Sequence, residues 1–145
     1  MKNITTVILG IMLSSIVVTV AAQEAKPYKE GHVASVTYVK TKPGKFDDYM
    51  KYLDTSYKAA MEAQKKAGIV TGYSVFLANP RKPSEPDLIL VVNYPNMAAL
   101  DRGEEMDAIE EKLAGGMVNA NKGMEDRGAI REILGSELVR ELVLK

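Results

Sequence analysis

The chain of 145 residues has no cysteine, no tryptophan and one histidine, His32. Without cysteine there is no disulfide, no thiolate metal site, no cysteine nucleophile and no lipoprotein anchor, so the fold must stand by packing alone. A lone histidine also closes the zinc helix that needs two imidazoles. Net charge is missing as well. The 19 Lys and Arg balance the 19 Asp and Glu, and no basic run is interleaved with aromatics. No field therefore favours nucleic acid as a partner. No nucleophile elbow, phosphate loop or dinucleotide fingerprint occurs. What remains is 46% hydrophobic residues, enough for one core of ordinary size.

The beginning reads as a targeting segment, residues 1–22. Lys2 precedes an apolar run from Ile4 to Val20, and Val20-Ala21-Ala22 offers the small residues a signal peptidase reads, with cleavage between Ala22 and Gln23. Thr5, Thr6, Ser14, Ser15 and Thr19 weaken the competing reading of an uncleaved membrane helix. The mature protein is then periplasmic or secreted and leaves the membrane. Residues 23–31, polar with one proline and one glycine, read as a flexible lead-in to a domain over residues 32–145.

That domain opens on a strand from Val33 to Lys40, β-branched or aromatic with small residues between. Lys42-Pro43-Gly44-Lys45 breaks it with the residues a tight turn prefers. From Phe46 the period changes to about 3.6, with Phe46, Met50, Leu53, Tyr57, Ala60, Met61 and Gln64 on one helical face. Gly68 supplies the left-handed stop. Ile69–Ala78 and Leu88–Tyr94 read as two more strands, joined by the proline-rich loop Asn79–Asp87. Asn96 caps a short turn, and Met106, Ile109, Leu113, Met117, Ala120 and Met124 stripe a second long helix. Gly115-Gly116 in its middle calls for close packing, a kink or a ligand pressed on the backbone. Ile130–Leu134 reads as a turn and Glu137–Leu144 as the last strand.

The order strand, helix, strand, strand, helix, strand predicts an α+β, ferredoxin-like sandwich with an antiparallel sheet and both helices on one face. Leu88–Val92 is apolar without alternation, so its second face needs cover as well. A second copy of the chain can supply it, making a homodimer the expected state.

In this pattern the chain resembles the dimeric α/β-barrel superfamily, and within it small exported bacterial proteins of unassigned function. The resemblance rests on the opening strand with Lys42-Pro43-Gly44-Lys45, the Phe46–Tyr57 helix, Glu85-Pro86-Asp87 before an apolar strand ending in Tyr94-Pro95-Asn96-Met97, and the closing Arg131–Lys145. It implies two ferredoxin-like units paired sheet to sheet, with a small apolar or anionic molecule held between sheet and helices. The alternative it implies is a cofactor-independent isomerase, cyclase or oxygenase using His32 with a strand tyrosine, Tyr38 or Tyr73. Haem-binding relatives need a histidine on the helical side, and this chain has none there, so no cofactor is expected.

On the final strand Leu138, Arg140, Leu142 and Leu144 share a face, which makes Arg140 a cation in a leucine row that must find a carboxylate, an anion or water. Arg140, Tyr94 and Asn93 are therefore the candidate ligand contacts. Glu104, Glu105, Asp107, Glu110 and Glu111 crowd a helix start, where carboxylates complement the exposed amides, so no metal site is expected.

Overall fold

The structure, a computed structural model, describes residues 26–145, so the targeting segment and its Ala22–Gln23 cleavage point lie outside the described residues. Its elements are β1 (Tyr28–Thr41), α1 (Phe46–Tyr52), a π-helical turn (Leu53–Tyr57), α2 (Lys58–Lys66), β2 (Gly72–Leu77), β3 (Leu88–Tyr94), a 3-10 turn (Met97–Arg102), α3 (Gly103–Ala114), α4 (Met117–Ile130) and β4 (Arg131–Leu144). The strands form one antiparallel sheet in the order β2-β3-β1-β4. This is the ferredoxin-like arrangement that the element order predicts. No helix of the described residues is long and apolar enough to cross a membrane.

Register decides which side chains can meet. Val33 pairs with Tyr94, Ser35 with Val92, Thr37 with Leu90 and Val39 with Leu88. Because side chains alternate, these eight point to the helices, and Val33, Val39, Leu88, Leu90 and Tyr94 are buried there. The core forms two clusters. One gathers Val33, Ile69, Val70, Tyr94 and Ala99, the other Val39, Tyr49, Leu53, Leu88 and Leu90. The intervening residues Ala34, Val36, Tyr38, Ile89, Val91 and Asn93 occupy the opposite face, on which no helix of the described residues lies.

Three boundaries differ from the sequence reading, each for a physical reason. Tyr28–Gly31, read as flexible lead-in, is strand, because Leu144, Val143 and Leu142 supply ladder partners for Tyr28, Lys29 and Glu30. Pairing from a distant segment overrides weak local propensity. The closing strand begins at Arg131 rather than Glu137, absorbing the expected turn as a bulge between the Tyr38–Gly135 and Val39–Ile133 pairs. The second long helix is two helices. Gly115 at φ 79° and Gly116 at φ 122° end α3, with the Gly116 amide donating to the Glu111 carbonyl at 2.9 Å and the Gly115 amide to that of Lys112 at 3.3 Å. That pair of bonds is a left-handed helix stop, so the glycines make a break and not a close packing on the sheet.

The first helix also departs from a regular ladder. At Leu53–Tyr57 it widens to a π turn, where the Thr55 hydroxyl donates back to the Lys51 carbonyl at 2.8 Å. Such back-bonding competes with the helical ladder. Tyr49 is the most buried residue of this helix while Phe46, expected on the inner face, is exposed.

The proline-rich loop is tied down at its end. Asp87 accepts from Lys40 Nζ at 3.0 Å, from the Thr41 amide at 2.8 Å and from the Thr41 hydroxyl at 2.7 Å. Desolvation pushes the Asp87 carboxyl up, but these hydrogen bonds outweigh it and hold the group below the usual aspartate value.

Candidate functional site

A cleft of about 770 Å3 lies between the first helical segment and the α3–α4 pair. This is not between sheet and helices, where the sequence places a cavity. One wall is Tyr52, Thr55, Tyr57, Ala59 and Ala60, and the other is Leu113, Ala114, Ala120, Met124 and Arg127. The helix is broken beside it at Gly115-Gly116, and neither α3 nor α4 contributes a fully buried residue. The π turn forms part of its first wall, a feature that recurs at functional sites.

Beneath that wall the aromatic and cationic groups are layered. The Tyr49 and Tyr52 rings stack with centroids 5.7 Å apart and planes 19° from parallel. Arg127 lies 5.2 Å from the Tyr52 centroid and Arg131 5.5 Å from that of Tyr49. Each guanidinium thus rests on a ring face, where the quadrupole attracts it. Among the described residues neither arginine has a carboxylate within ion-pair distance. Their Nε atoms and the Tyr57 hydroxyl are buried without a hydrogen-bond partner. Such orphaned groups are uncommon and mark a place where something polar is missing.

The tyrosines respond to burial. Desolvation raises Tyr57 well above the ordinary phenol value, with the neighbouring tyrosines adding to it. Tyr52 is also raised by desolvation, with Arg127 opposing and Glu110 reinforcing the shift. At neutral pH all three phenols stay protonated and serve as donors.

The residues singled out in the sequence do not converge. His32 Nδ1 is 2.8 Å from Glu141 Oε2 at an exposed bulge of β1. Tyr38 lies six positions along the same strand, about 20 Å away, and donates to Glu137 at 2.5 Å on the helix-free face. Tyr73, on β2, has the other orientation and donates to Glu62 at 2.8 Å, its ring edge-on to Tyr57. Arg140 is paired with Glu30 at the sheet edge, both half-exposed. Tyr94 is buried in the core, and Asn93 beside it points to the opposite face. Among the described residues no group of three or more His, Asp or Glu side chains is placed to hold a metal ion.

What the sequence reading passed over are Arg127, Arg131 and the three tyrosines of the first helical segment. The available signal was the spacing. Arginines four apart at a helix end and tyrosines at 49, 52 and 57 each share a helical face.

No family model matches the chain, and no curated protein matches it. Solved structures do share its fold. HapK from Hahella chejuensis gives a TM-score of 0.51 at 12% identity, over 75% of this chain and 91% of that one. A protein from Shewanella oneidensis gives 0.51 at 15% identity, over 80% and 98%. A dimeric ferredoxin-like protein from an uncultured marine organism gives 0.50 at 10% identity, over 81% and 90%. The class defined by fold and comparison is the ferredoxin-like α+β domain.

Proposed function

We propose that the protein is an exported homodimer that binds a small molecule in the cleft between its helices. The observation that carries the reading is the cleft, about 770 Å3 and walled largely by apolar side chains over an orphaned tyrosine hydroxyl. A cleft of that volume, with polar groups set in a wall that is more apolar than polar, has the make-up of a small-molecule site. Pairing is supported by the helix-free sheet face, where Val36, Phe76, Ile89, Val91 and Val139 form an apolar surface by register. A neighbour of the same fold is itself described as dimeric. Export is supported by the apolar run and small-residue site before Gln23.

The enzymatic alternative finds less support, since His32 and the strand tyrosines are bonded to separate glutamates and face different regions. Two measurements test the proposal. Light scattering of the protein should give a dimer that Val91→Lys converts to monomer; a monomeric unmutated protein refutes the pairing. Ala120→Phe, which fills the cleft, should abolish binding of the neutral fluorescent probe 1-naphthamide, and unchanged binding refutes the site.

A further inference from the structure

We infer that the occupant of the cleft is a flat apolar molecule carrying a single carboxylate, which Arg127 holds. The inference rests on the cleft being a binding site and names the chemistry that site selects.

Consider the charges that line it. Asp48 is neutralised by Lys45 at 2.8 Å and Asp126 by Lys122 at 3.4 Å. Glu110 stands exposed at the mouth. Arg127 is the one cation among the lining residues, and Arg131 adds a second positive charge behind the stacked Tyr49 and Tyr52 rings. Each guanidinium lies over one ring of the aromatic pair, and among the described residues no carboxylate is within ion-pair distance of either. A ring face attracts a cation but is no acceptor for the guanidinium Nε–H, and the Nε of Arg127 is orphaned. Arg127 thus brings to the slot a half-buried cation that lacks both a paired negative charge and an acceptor oxygen at Nε.

A carboxylate supplies both at once, because its two oxygens match the guanidinium fork. The slot sets the rest of the molecule. Ala59, Ala60 and Ala120 leave room between walls that Tyr52, Leu113 and Met124 make apolar, which suits a flat ring. Glu110 at the mouth repels a second anionic group, so the ligand carries one charge.

The test titrates 1-naphthoate and its neutral isostere 1-naphthamide into the purified protein, followed by fluorescence. Naphthoate should bind about tenfold more tightly, Arg127→Gln should erase that preference, and Arg127→Lys should keep only the part due to charge. Glu110→Gln should tighten naphthoate more than naphthamide, and an equal change in both overturns the repulsion assigned to Glu110. Equal affinity of the two probes overturns the carboxylate while leaving the cleft as a site. A preference that survives Arg127→Gln overturns the role of Arg127. Absence of binding by either probe at millimolar concentration overturns the site itself.

Discussion

The two halves of the sheet-and-helix repeat are built to different standards. In the first, β1 to β2, the helical segment buries Tyr49, Leu53, Ala60, Met61 and Gln64. In the second, β3 to β4, α3 and α4 bury no residue, and Leu113, Met117, Val118 and Met124 are each more than half exposed. Apolar residues recur at helical spacing in both, though less regularly along α4. The difference coincides with Gly115-Gly116, which breaks the second helix into two. Stability is therefore concentrated in one half, and the other is left with apolar surface and unanswered cations for a ligand to complete.

Truncations measure that contrast most directly. Leu53→Ala should cost about 2–5 kcal/mol in chemical denaturation, the usual range for a buried leucine. Leu113→Ala, also a core residue by sequence pattern, should cost less than about 0.5 kcal/mol. Similar losses at both sites would mean that α3 packs as firmly as the first helix.

A smaller effect separates two glycines of the second half. Gly115→Ala forces a Cβ into left-handed backbone at φ 79° and should cost about 1–2 kcal/mol. Gly103→Ala sits at helical φ −55° with open space around the added carbon, and should stabilise by about 0.4–1 kcal/mol. Thermal denaturation of the two variants gives opposite signs if the helix break is as described.

The smallest effect concerns Asp87, which joins the halves by tying the start of β3 to β1. Its folded pKa is lowered, so its contribution is present above the unfolded value of about 3.9 and is lost as pH falls through the folded one. Urea midpoints should therefore fall less between about pH 5 and about pH 3 in Asp87→Asn than in the unmutated protein. An unaltered acid dependence would remove Asp87 from the account.

Much of the fold was legible because it is written in local chemistry. The turn at Pro43-Gly44, the stop at Gly68 and the Asn96 cap, whose side chain accepts from the Ala99 amide at 3.2 Å, depend on few residues and stand where the sequence puts them. The long ribbon of β1 with β4 was not legible, since Tyr28–Gly31 is strand only because residues more than a hundred positions away pair with it. The site was harder still. Arg140 drew notice because it interrupts a leucine row, yet that row lies on an edge strand where Glu30 is within reach. Arg127 and Arg131 looked like an ordinary cationic helix end. Only the packing of Tyr49 against Tyr52 reveals that their charge has no carboxylate partner.

The ribbon also sets an order of events for the chain as it is made. β1 is the second strand from one edge of the sheet, and its outer ladder runs from Tyr28–Leu144 to Thr41–Arg131. Until the last strand emerges, β1 therefore presents an unpaired edge, the kind of surface to which other chains adhere. Pairing across such sequence distances is slow, because loop closure precedes the contacts that reward it. The sheet thus closes its exposed edge to other chains only once β4 has been made and has paired.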